Sequence, residues 1–103
     1  MKRFVLHPEA YTDIDELWEY IAIDSIGAAD RIREEIHEAI GGLAAFPYQG
    51  HKRPDLTNRP LRFQAVRDYL IAYAPEEKPL LVIALLHGRR NPQVIALILE
   101  QRR

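Results

Sequence analysis

The chain has no cysteine, one serine and one methionine among its 103 residues. Without cysteine there is no disulfide framework, no thiol nucleophile and no thiolate metal site, and a reducing cytoplasm fits. Ser25 stands in "DSIGAAD" with no nucleophile-elbow motif around it. It reads instead as a cap on the turn before a helix, and the other hydroxyls are only Thr12, Thr57 and the tyrosines. No uncharged apolar stretch approaches the roughly 18 residues of a membrane span. The opening "MKRFVLHPEAY" has only a short apolar run before His7 and Pro8, too short for a signal peptide. Gly41 and Gly42 lie within a helical pattern, and "HGRR" follows a strand without Walker spacing, so no phosphate loop is present. His7, His37, His51 and His87 form no HxH or HxxxH pair, and a zinc site is not announced. Neither a metal nor a cofactor is expected.

What remains is an ordinary globular composition, 48% apolar and 28% charged, in one domain spanning residues 1–103. The net charge of −1 hides an asymmetry. Residues 1–50 carry ten Asp/Glu and four Lys/Arg, a net of −6; residues 51–103 carry five and ten, a net of +5. Eleven of the fourteen basic residues are arginine, the side chain suited to forked pairing with carboxylates or phosphates. The halves either give the molecule one cationic face or neutralise each other across the fold.

Lys2 to His7 alternates weakly and predicts a short strand with Phe4 and Leu6 on one face. Pro8 suits the first turn of a helix, where its missing N–H costs nothing. Ala10, Ile14, Leu17, Trp18, Ile21 and Ala22 then recur at helical spacing. Asp13, Asp15, Glu16 and Glu19 fall on the opposite face and read as solvated. After Gly27 a second helix carries Ala29, Ile32, Ile36, Ile40 and Leu43 on one stripe. Gly41 and Gly42 weaken it, by about 1 kcal/mol each relative to alanine, and either allow close packing or end it early. Pro47 stops it in any case. So short a link between the helices predicts an antiparallel hairpin.

The basic, turn-rich "PYQGHKRPDLTNRP" joins the helical half to three strand candidates. These are Leu61–Val66, Tyr69–Ala74 and the apolar run Leu80–His87, with turns at Arg67–Asp68 and "PEEKP". The last run reads as a central strand buried on both faces. Asn91 and Pro92 pair as cap and first position of a short helix, although "VIALIL" also suits a strand. The predicted class is α+β: an N-terminal strand, a helical hairpin on a small, mainly antiparallel sheet, and a short C-terminal helix.

One enzymatic constellation stands out. Metal-independent RNA cleavage needs a base, an acid and a cation for the phosphate, which histidine and arginine supply. Arg62, His87, Arg89 and Arg90 are expected to converge at one end of the sheet, with Lys52 and Arg53 arriving from the connecting loop. Tyr69 or Tyr73 would stack a base. In the plainer reading, Arg62 faces solvent and "HGRR" merely terminates a strand.

The succession "HPEAYTDIDELWEYIA", "LAAFPYQGHKRPDL", "LRF", "YLIAY" and "VIALLHGRRNP" resembles the ParE branch of the RelE/ParE toxin superfamily over nearly the whole chain. The resemblance implies a type II toxin–antitoxin toxin of the plasmid stabilisation family, with a helical hairpin against a curved antiparallel sheet. ParE-like toxins trap DNA gyrase on broken DNA and arrest growth; RelE-like toxins cut messenger RNA on the ribosome with basic and aromatic groove residues. The RelE-like activity uses clustered Lys/Arg with a carboxy-terminal tyrosine, or a histidine–tyrosine pair in a related subgroup. No tyrosine follows Tyr73, so the terminal "HGRR" points to the ParE branch; Asn91 departs from the aspartate frequent there. The resemblance implies a ParD-like antitoxin in a toxin–antitoxin hetero-oligomer, DNA gyrase as target, and no enzymatic activity of the chain's own. Target- or antitoxin-binding residues would be Arg53, Arg62, Tyr73, His87, Arg89 and Arg90. The alternatives are a ribosome-dependent endoribonuclease using Arg62, His87 and Arg89, or a degenerate toxin that only binds antitoxin.

Overall fold

A computed structural model describes residues 3–103. Lys2, the expected start of the first strand, lies outside them. The elements run β1 (Phe4–Leu6), α1 (Pro8–Ala22), α2 (Ile26–Ala45), β2 (Arg62–Val66), β3 (Tyr69–Ala74), β4 (Leu80–His87) and α3 (Pro92–Gln101). The strands form one sheet in the order β1-β4-β3-β2. Its β2–β3 and β3–β4 pairs are antiparallel, whereas β1 lies parallel to β4. The predicted α+β class and the mainly antiparallel sheet therefore hold, with one parallel pair at the edge.

Local chemistry explains the helix boundaries. His7 caps α1, its Nδ1 accepting from Glu9 N–H at 3.1 Å, and Pro8 follows at the first position. Ser25 caps α2 by accepting from Ala28 N–H at 3.1 Å, and Asn91 caps α3 by accepting from Gln93 N–H at 2.8 Å. The C-terminal apolar run is thus a helix. At its far end, Arg59 Nη1 donates to the carbonyls of Leu99 and Arg102, both at 2.6 Å, satisfying acceptors that a helix terminus leaves open. Gly41 and Gly42 neither end α2 nor serve close packing. The helix runs on to Ala45, and a Cβ at either position would meet nothing within 4 Å.

The sheet separates two apolar clusters. On one face Ala10 and Ile14 of α1 and Ile36, Ile40 and Leu43 of α2 pack on Ile71, Tyr73, Leu80, Val82 and Leu85. On the other, Ile95 and Leu99 of α3 join Leu56, Leu61, Phe63, Ala72, Ile83, Ala84 and Leu86. β4 feeds both clusters, as expected of a strand buried on both faces. A register shift assists this: Ala72 faces Ala84 and Tyr73 faces Val82, leaving Ile83 as the extra residue of a bulge.

Asp13 corrects the reading of α1's polar face. Its side chain is only 15% exposed and binds Arg102 from the far end of the chain. The charge asymmetry is likewise partly consumed internally, because Arg67–Glu35, Arg102–Asp13 and Arg102–Glu9 all join the basic half to the acidic half.

Candidate functional site

The antiparallel register divides the expected cationic cluster in two. Arg62 faces Tyr73, which faces Val82; Val66 faces Tyr69, which faces His87. Arg62 and His87 therefore mark opposite ends of the sheet, about 15 Å apart at the usual strand rise. Their expected convergence does not occur, because a strand pair whose turn lies at residues 67 and 68 places Arg62 at the end remote from that turn.

At the Arg62 end, Tyr73 is the organising side chain. It is fully buried, its hydroxyl donating to the Pro47 carbonyl at 2.7 Å and accepting from Gly50 N–H at 2.9 Å. Tyr73 thus offers no surface for a base or a partner. Burial pushes its hydroxyl above the ordinary tyrosine value, opposed by the Gly50 N–H and the Arg62 charge. Gly50 is required by close approach, since a Cβ there would lie 2.6 Å from the Tyr73 hydroxyl and 2.8 Å from the Phe63 carbonyl. His51 then pairs with Phe63 through both backbone bonds, at 2.9 and 2.8 Å, and covers the outer edge of β2. Arg62 is held by donation to the Gly50 carbonyl at 2.8 Å, with its guanidinium 5.2 Å from the ring centre of exposed Tyr48. Such a stack helps to fix the cation's position. Arg53 is engaged differently, forked onto Asp55 at 2.9 and 2.8 Å, so its charge is locally paired.

At the other end, a tight connection displays the "HGRR" segment. Gly88 N–H donates to the Asp68 carbonyl at 2.7 Å, and Arg90 N–H to the His87 carbonyl at 3.0 Å. A Cβ on Gly88 would stand 3.1 Å from that Asp68 oxygen, which leaves little room for a larger residue. His87 Nδ1 accepts from Arg89 N–H at 3.1 Å, which leaves Nε2 as the nitrogen carrying a proton in the neutral ring. Arg89 and Arg90 are exposed and make no ion pair among the described residues.

Tyr69 lies edge-on to His87, with ring centres 5.4 Å apart and planes at 77°. The histidine therefore does have a tyrosine neighbour, supplied by β3 rather than by the carboxy terminus. Burial, then the charges of Asp68 and Tyr20, push the Tyr69 hydroxyl above its ordinary value, keeping it protonated near neutrality. Sequence order hid this pair; the β3–β4 register across the "PEEKP" turn is the signal that would have found it. Arg67, in the β2–β3 turn, takes φ 54°, and its fork onto Glu35 at 2.8 and 2.7 Å anchors that turn to α2. No group of three or more metal-ligating side chains occurs among the described residues, and no described helix is long and apolar enough to cross a membrane.

The arrangement presents two separate cationic surfaces, one stacked on Tyr48 and one at the "HGRR" turn, on a rigid sheet. No individual curated protein matches the chain. Residues 4–92, from β1 to the start of α3, match the family described as the ParE toxin of type II toxin–antitoxin systems, parDE. With most of its length matched and the α+β architecture in place, the chain belongs to the ParE toxin family.

Proposed function

We propose that this toxin poisons DNA gyrase and is held silent by a ParD-like antitoxin in a cytoplasmic hetero-oligomer, the chain acting as a single ParE-like domain. One observation carries the reading: Arg89 and Arg90 project from a turn fastened to the end of the central strand, with no ion pair among the described residues. Two arginines on so firm a base suit a large anionic or carboxylate-bearing surface, and their planar forks favour oriented contacts. An acidic antitoxin segment laid over them would hide the same groups from the target. In this reading the chain disables an enzyme and is not one itself. Gyrase supercoiling and cleavage assays test it. Accumulation of broken DNA, reversed by the antitoxin, is the expected result; unaffected gyrase at excess folded protein rejects the proposal.

The Tyr69–His87 contact favours a second reading, ribosome-dependent messenger cleavage. His87 would serve as base or acid, with the Tyr69 ring edge-on beside it and Arg89 at the phosphate. Arg62 is too distant to share that site. This reading expects specific cuts in translated messages that vanish in His87→Ala and weaken in Tyr69→Ala, which removes the ring packed against the histidine. Intact messages during growth arrest exclude it.

A further inference from the structure

β4 alone does not anchor the Arg89–Arg90 turn. The strand ends at His87, whose register partner on β3 is Tyr69. One step further, Gly88 N–H donates to the Asp68 carbonyl at 2.7 Å. The base of the cationic turn is therefore tied to the β2–β3 turn, and it goes where residues 67 and 68 go.

The β2–β3 turn is in its own right held from outside. Arg67 and Asp68 are both exposed, so apolar burial does not fix it. Arg67 stands at φ 54°, a left-handed backbone that is costly for a residue with a side chain and suits glycine. What reaches the turn is Glu35, from the middle of α2. Arg67 closes a two-bond fork on it, Nε to Oε1 at 2.8 Å and Nη2 to Oε2 at 2.7 Å. Such a fork fixes direction as well as distance. The two side chains are 56% and 39% exposed, so the pair adds little to stability. For stability alone, glycine would serve at position 67 at least as well, because it takes that φ freely.

We infer that the Glu35–Arg67 fork is a positioning device for Arg89 and Arg90. It seats the β2–β3 turn on α2, and the Asp68 carbonyl passes that placement to Gly88 and the two arginines beyond. Neither Glu35 nor Arg67 has to touch the target. The helix is a firm reference, since Ile36 and Ile40 beside Glu35 are fully buried in the core. Placement matters here because planar guanidinium groups make oriented contacts. The inference rests on the reading in which Arg89 and Arg90 meet gyrase.

The test compares wild type, Arg67→Gly, Glu35→Gln and the exchanged pair Glu35→Arg/Arg67→Glu by thermal midpoint, amide exchange at Gly88 and gyrase cleavage. Arg67→Gly removes the fork and relieves the backbone, so its midpoint should be no lower than that of wild type. Its Gly88 amide should nevertheless exchange about tenfold faster. Half-maximal cleavage should need about tenfold more protein, as expected of a displaced contact group. Glu35→Gln should move both readouts the same way by less, and the exchanged pair should restore both. A fork with a purely structural role would instead lower midpoint and potency together, which overturns the inference. So does unchanged Gly88 exchange in Arg67→Gly, or full potency of that variant beside an active wild type. Slow Gly88 exchange without restored potency in the exchanged pair also overturns it, because Arg67 would then act through its own charge. Failure of all variants to fold does the same, by making the pair a determinant of the fold. If folded wild type leaves gyrase untouched, the gyrase reading fails separately, and Gly88 exchange still decides whether the fork positions the turn.

Discussion

The Tyr73 hydroxyl sits between Gly50 N–H at 2.9 Å and the Pro47 carbonyl at 2.7 Å, tying the loop after α2 to the middle of the sheet. Both backbone groups depend on that one oxygen inside a fully buried site. Tyr73→Phe should therefore destabilise the fold by about 1–3 kcal/mol, the cost of leaving buried polar groups unpaired. Denaturant unfolding should show a lower midpoint with an unchanged slope. Gly50→Ala should be at least as harmful, because its Cβ would fall 2.8 Å from a backbone oxygen that cannot swing aside.

The helical glycines should behave oppositely. Gly41 and Gly42 sit inside α2 with open space where a Cβ would go. Replacing either with alanine should stabilise by up to about 1 kcal/mol through helix propensity alone. A rise in thermal midpoint checks this, and a fall would mean the space is not free.

Stability should also respond to acid through Glu35. Its carboxyl is held below the ordinary value of 4.5, chiefly by the hydrogen bonds from Arg67. A carboxylate with a lowered folded pKa stabilises fully above its unfolded value and loses that contribution as pH falls through the folded one. The stability difference between wild type and Glu35→Gln should thus be full at neutral pH and shrink below 4.5. The pair is on the surface, so the difference is small and salt should reduce it further. Denaturant midpoints across an acid series would show both trends.

What the sequence made legible is local. Caps at Ser25 and Asn91, the apolar stripes of α1 and α2, and the run from Leu80 to His87 all follow from spacing and residue type within a few turns of chain. Asp13 looked solvated because its partner, Arg102, lies 89 positions away, and no periodicity encodes such a pairing. Tyr73 looked available because alternation tells which face a residue takes, not how deeply that face is covered. Arg62 and His87 looked close because both end or begin strands, whereas their placement depends on which turn joins which pair. The Tyr69–His87 contact was hidden for the same reason.

The cationic turn should be separable from the fold. Arg89 and Arg90 are exposed and unpaired among the described residues, so Arg89→Ala/Arg90→Ala should leave the thermal midpoint nearly unchanged. Association with the antitoxin should weaken and lose part of its salt dependence, as expected when exposed charges leave an interface. Calorimetric titrations at two salt concentrations would measure both effects.

The most direct measurement sets wild type beside that double variant in a gyrase cleavage assay, with circular dichroism confirming that both are folded. Antitoxin-reversible broken DNA with wild type, and little or none with the variant, is the predicted result. Equal cleavage by both proteins would contradict the role given to the Arg89–Arg90 turn, and no cleavage by folded wild type would contradict gyrase as the target.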